Sequence, residues 1–86
     1  MKELEKVLKA LANKRRLAIL KHLKYNREAS VGEIARSINL SFKATSKHLA
    51  ILTALDIIEK EQRSLQMFYA ISKNQKSIVR HLFSIL

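Results

Sequence analysis

Apolar positions recur at helical spacing along most of the chain. Leu4, Val7, Leu8 and Leu11 fall at i, i+3, i+4 and i+7, which predicts an amphipathic helix over residues 2–12. Lys2, Glu5, Lys6 and Lys9 lie outside that stripe. Asn13 suits an N-cap, and a second helix follows from Lys14 to about Tyr25, burying Leu17, Ile19, Leu20 and Leu23. Residues 26–29 read as a polar connector. Ser30 and Glu33 have the spacing of a capping box, which opens a short helix to Ile38 with Val31, Ile34, Ala35 and Ile38 inward. Asn39-Leu40 is a tight turn, because Asn tolerates left-handed backbone. Ser41 then caps a fourth helix over about 42–55, with Ala44, Leu49, Leu52 and Leu55 on one face. Asp56 takes the left-handed position that usually follows a helix. Beyond it the pattern changes. Ile57-Ile58 starts a strand that continues through Glu61, Gln62 to Leu65 is a turn, and QMFYAI (Gln66 to Ile71) is rich in β-formers. A last helix over Asn74 to Leu86 carries Ile78, Val79, Leu82, Phe83, Ile85 and Leu86. The fold class is mainly α with a small β-hairpin: five helices, with two strands between the fourth and the fifth. A short helix, a tight turn and a second helix with a polar leading end form a helix-turn-helix.

The chain has 86 residues, which predicts one domain over 1–86. One glycine and no proline argue against long irregular loops. Without cysteine there are no disulfides or thiolate metal sites. No apolar run has the length of a membrane span, and the first residues lack the apolar block of a signal peptide. The expected location is the cytoplasm, and the nucleoid in a prokaryote. A formal net charge of +10 and a pI of about 10.3 point to an anionic partner: nucleic acid, an anionic membrane surface or an acidic protein.

The fourth helix narrows that choice. No acid lies between Ser41 and Leu55. Its leading end carries Phe42, Lys43, Thr45, Ser46 and Lys47, the donors and positive charge that suit phosphates and base edges. Phe42 either touches a thymine methyl or packs at the helix start. His48 either lies near phosphate or packs against the second helix. Lys14, Arg15 and Arg16 crowd a helix N-terminus, the wrong end for the dipole. Their placement calls for a partner anion or simple surface tolerance, and Arg16 is a candidate phosphate contact. The wide apolar side of the last helix needs covering by a partner. No nucleophile–base pair, paired carboxylates or glycine-rich phosphate loop stands out, so an enzyme is not expected.

Three segments resemble the ArsR-type family of winged-helix repressors: LKALANKRRLAILKHL, SVGEIARSINLSFKATSKHLAILTALDIIEKE and QMFYAIS. Within them, Arg16-Leu17 and Ile19-Leu20 occupy the family's Arg-Leu and Ile-Leu positions. Ser46, His48, Leu49 and Leu52 fit its Ser-x-His-Leu-x-x-Leu pattern. The resemblance covers about Leu8 to Ile71. It implies a winged helix-turn-helix homodimer on operator DNA, with Ser41 to Leu55 as recognition helix and Lys60 to Gln66 as wing. It also implies a dimer interface from the first and last helices, through Leu4, Val7, Leu8, Leu11, Ile78, Val79, Leu82, Phe83 and Leu86. The family's Cys-x-Cys metal site is absent, since that region reads SVGEIA, and on the last helix His81 has no acid nearby. No metal and no cofactor are therefore expected. The family's usual glycine after the recognition helix is here Asp56, and the wing has none.

The expected function is a sequence-specific, dimeric transcriptional regulator acting as a repressor. Its partners are double-stranded DNA and a second copy of itself. Ser41, Phe42, Lys43, Thr45, Ser46 and Lys47 would meet the major groove, with Arg16, His48 and Arg63 on the backbone. A winged-helix module for an acidic protein, and non-specific DNA packaging, remain open as alternatives.

Overall fold

The computed structural model describes residues 2–86. Its elements are α1 (Lys2–Leu11), α2 (Lys14–Tyr25), β1 (Ala29–Ser30), α3 (Val31–Ile38), α4 (Phe42–Ala54), β2 (Ile58–Arg63), β3 (Gln66–Ile71) and α5 (Ser77–Ile85). The helix starts follow from their caps. Asn13 Oδ1 accepts from the amides of Arg15 (3.0 Å) and Arg16 (3.1 Å). The Ser30 hydroxyl accepts from the Glu33 amide (3.2 Å) while Glu33 accepts from the Ser30 amide (2.9 Å), closing the capping box. Ser41 Oγ accepts from the Ala44 amide at 3.1 Å. Asn39 ends α3 at φ 54°, and Asp56 follows α4 at φ 58°.

The sheet has three strands, where the sequence pattern predicts a two-stranded hairpin. Its order is β1-β3-β2, all antiparallel, with Ala29 opposite Tyr69 and Ser30 opposite Phe68. A two-residue strand carries no alternation to detect, and Ala29 looks like connector until its partner is known. The hairpin itself has a two-residue loop, Ser64-Leu65, with Arg63 opposite Gln66. Ser64 has φ 58° and Leu65 is not left-handed. A positive φ at the first loop residue alone is the backbone that glycine usually supplies in a type II′ turn.

Ile19, Leu20, Ile34, Leu49, Leu52, Ile57 and Ile58 are fully buried at the centre of one core, to which every helix contributes. Val7, Leu11 and Val79 belong to that core. They offer no surface to a second copy, which corrects their assignment to a dimer interface. The stripes of α1 and α5 are wide enough to serve two purposes, and their inner edges close the chain's own core. The start of α5 is tied down by Lys76, which pairs with Glu3 on α1 at 3.0 Å.

Removing the Asn13 cap strips acceptors from two first-turn amides. Asn13→Ala should therefore destabilise the fold by about 1 kcal/mol, measured by urea unfolding.

Candidate nucleic-acid interface

At about 100° per residue, Thr45, Leu49 and Leu52 share one side of α4, and all three are buried. Lys43, Lys47, Ala50 and Ala54 share the opposite side, and all are exposed. Ser41 and Phe42 are exposed at the leading end, Phe42 to 63%. Ser46 is half-buried beside them. The outward face thus carries two lysines near the N-terminus and small apolar residues behind. No carboxylate occurs between Ile34 and Leu55 to oppose them.

Thr45 departs from the sequence expectation. It is fully buried, so it cannot reach a base edge, and its Oγ1 has no hydrogen-bond partner. Its helical phase, matching Leu49 rather than Lys43, carried that information. A hydroxyl among polar neighbours masked it.

The cations at the start of α2 are held by the protein. Arg15 Nη1 donates to the Ile38 carbonyl at 3.2 Å, at the end of α3. Arg16 donates through Nε to the Ala10 carbonyl (2.6 Å) and through Nη2 to the Lys9 carbonyl (3.5 Å), at the end of α1. Both arginines satisfy carbonyls that helix ends leave open. That is the reason for their position, rather than a partner anion. Arg16 Nη1 also donates to His48 Nδ1 at 3.2 Å. Arginine only donates, so Nδ1 is the acceptor and the ring proton sits on Nε2. His48 therefore packs against α2. Burial, with the charges of Arg16 and Arg15, lowers its pKa.

In the wing, formed by β2 and β3, Arg63 does not stand free. It forms a two-pronged pair with Glu28 and a second pair with Glu61 at 2.7 Å. Its guanidinium lies 4.9 Å from the centre of the Phe68 ring. The carboxylates hold Arg63 firmly protonated, and it in turn holds the Glu28 carboxyl below the usual range. Glu28 lies 35 residues away in an apparent connector, and sequence pattern gives no signal of that contact. Leu65, at the tip, is 96% exposed.

The apolar surface left uncovered lies on α1 and α5. Leu4 (39%), Leu8 (46%), Ile78 and Ile85 are exposed, and Leu82, Phe83 and Leu86 are half-buried against the core. A shallow groove on α1 runs along Leu4, Leu8 and Ala12. Among the described residues no three of His, Cys, Asp and Glu gather as a metal site, and no helix is long and apolar enough to cross a membrane.

Residues 11–61 match a helix-turn-helix domain family. The transcriptional activator HlyU of Vibrio cholerae is 41% identical over 69 residues, covering 80% of this chain and 63% of HlyU. The structure of reduced HlyU superposes with a TM-score of 0.83 at 36% identity, over 98% of this chain and 84% of that one. The homodimeric winged helix-turn-helix DNA-binding domain Mb0332 of Mycobacterium bovis, a possible ArsR-family regulator, has a TM-score of 0.83 at 30% identity. That match covers 98% of this chain and 74% of Mb0332. The chain belongs to the ArsR family of winged helix-turn-helix transcriptional regulators. The repressor BigR of Xylella fastidiosa also shares the fold, with a TM-score of 0.81 at 28% identity over 99% of this chain and 84% of BigR. The chain thus spans less than two thirds of the length of HlyU but most of the solved ArsR-type domains.

Two outcomes follow from Thr45 and His48. Thr45→Val removes an unpartnered buried hydroxyl at nearly constant shape and should stabilise the fold by about 1 kcal/mol in urea unfolding. Unfolded, His48 gains a proton below about pH 6.5, whereas folded it resists one. The unfolded state then binds more protons, so stability falls as pH drops from about 6.5 toward the lower folded value. The difference in urea midpoint between pH 7 and pH 5.5 should shrink in His48→Gln.

Proposed function

We propose that this chain is a sequence-specific regulator that binds operator DNA as a homodimer, with α4 in the major groove and the wing beside it. The observation that carries this reading is the outward face of α4: exposed Lys43 and Lys47, flanked by Ser41, Phe42 and Ser46, with no acid on the helix. Lysines there meet phosphate or guanine edges, Ser46 offers a donor and acceptor, and Phe42 presents apolar surface to a thymine methyl. His48 keeps its Nε2–H available for a backbone oxygen, while Nδ1 is held by Arg16.

A second copy covers the α1–α5 surface. Leu4, Leu8 and Ile78 lie at its centre, with Leu82, Phe83 and Leu86 at the inner margin. A two-fold pair would set the two recognition helices about 34 Å apart, one turn of B-DNA. The relatives act with both signs, HlyU as an activator and BigR as a repressor. We assign repression here, because blocking a promoter needs only occupancy, whereas activation needs a further contact. The protein is not an enzyme and works in the cytoplasm, where the DNA is.

Duplex selection from a random pool, with affinity followed against salt, tests this reading. The expected result is an enriched palindrome with two half-sites and a steep loss of affinity with salt. Salt-dependent binding without enrichment would indicate DNA packaging, and no binding at moderate salt would indicate a protein partner. On the selected site, Lys43→Ala should weaken binding about tenfold if the lysine reads a base, the low end of the range for one good base contact. Unchanged affinity would remove Lys43 from the interface. Leu8→Asp spares the core and should give monomers in sedimentation, and a variant that stays dimeric would overturn the α1–α5 interface.

A further inference from the structure

The outer half of the hairpin lacks what usually holds a wing in place. Of β2 only Ile58 is buried, and the remainder is exposed. β1 supports β3 at Phe68 and Tyr69 alone, so Gln62, Arg63, Gln66 and Met67 extend past the third strand as a two-stranded ribbon. Such a ribbon is marginal in water. One side chain connects it back to the body. Arg63 Nη1 bonds one oxygen of Glu28, and Nη2 bonds the other at 2.7 Å. Nε and Nη2 meet Glu61 Oε1 at 3.0 and 2.7 Å. The guanidinium face stacks on Phe68. All three guanidinium nitrogens are engaged, and the trio of one cation and two carboxylates carries net negative charge. A phosphate reaching Arg63 must displace both carboxylates and cross their field.

We infer that Arg63 is a positioning residue that ties the wing to the segment before β1, and that Glu28 and Glu61 withhold its charge from DNA. Single exposed ion pairs are weak. This arrangement differs because a forked pair, a second carboxylate and a ring contact act on the same guanidinium, which fixes its geometry. The placement of an arginine near a wing tip suggests a phosphate contact. Its two acidic partners give it another role. The withheld charge is a statement about DNA and rests on the function proposed above; the tether does not.

Two measurements test the two halves. On the selected duplex, the Glu28→Gln/Glu61→Gln variant should bind several-fold tighter at low salt, with a log–log salt slope steeper by about 0.9, one added phosphate contact. Arg63→Gln should leave the slope unchanged. An unchanged slope in the first variant, or a slope shallower by about 0.9 in the second, would overturn the withholding of charge. Without DNA, amide exchange at Gln62 to Met67 should be several-fold faster in Arg63→Gln and slow again in the charge-swapped Glu28→Arg/Arg63→Glu. Exchange that does not change in Arg63→Gln would overturn the tether. If the unaltered protein binds no duplex, the functional reading and the withheld charge fail together, and the exchange result alone decides the tether.

Discussion

None of these helices is long enough to persist alone. α3 has eight residues and α5 has nine, below the length at which isolated helices form in water. Each exists because its apolar side is buried and its ends are satisfied by other elements. Leu49 and Leu52 of α4 share the core with Ile34 of α3 and Ile19 and Leu20 of α2. Arg15 and Arg16 close the carbonyl ends of α3 and α1. The angle at which α4 projects is therefore set by the whole body. Arg16 contributes directly, because the same guanidinium that closes α1 also holds His48 on α4.

The charge divides accordingly. Arg15, Arg16 and Arg63 are engaged by carbonyls, an imidazole and carboxylates of the chain itself. Lys43 and Lys47 face solvent on a helix without acids. A basic composition announces an anionic partner, but the fold decides which cations remain available to it.

Much of this was legible in the sequence, for identifiable reasons. Caps are local, so Asn13, Ser30 with Glu33, Ser41 and the left-handed Asn39 and Asp56 could be read from spacing alone. The helices follow from their 3.6-residue stripes. What escaped depends on residues far apart in the chain. β1 is two residues paired with a strand some forty residues later. Glu28 meets Arg63 across 35 residues. The arginines at the start of α2 looked misplaced because the carbonyls they serve belong to other helices. Val7, Leu11 and Val79 carry the right pattern for an interface, but a stripe does not say which of its members close the chain's own core. Thr45 was legible by phase and was misread by chemistry.

The single glycine sits in an unexpected place. Gly32 lies inside α3, where a Cβ would meet only the end of the flexible Arg36 side chain at 3.6 Å. Asn39, Asp56 and Ser64 meanwhile take left-handed backbone without the residue that adopts it most easily. The chain forgoes stability in both respects, by roughly 0.5–1 kcal/mol for a glycine within a helix. This slack lies away from Lys43 and Lys47, so substitutions can adjust how long the folded protein survives in a cell without altering the face offered to DNA. Abundance and recognition can thus drift separately: the amount of regulator is open to selection at its turns while the outward face of α4 stays as it is.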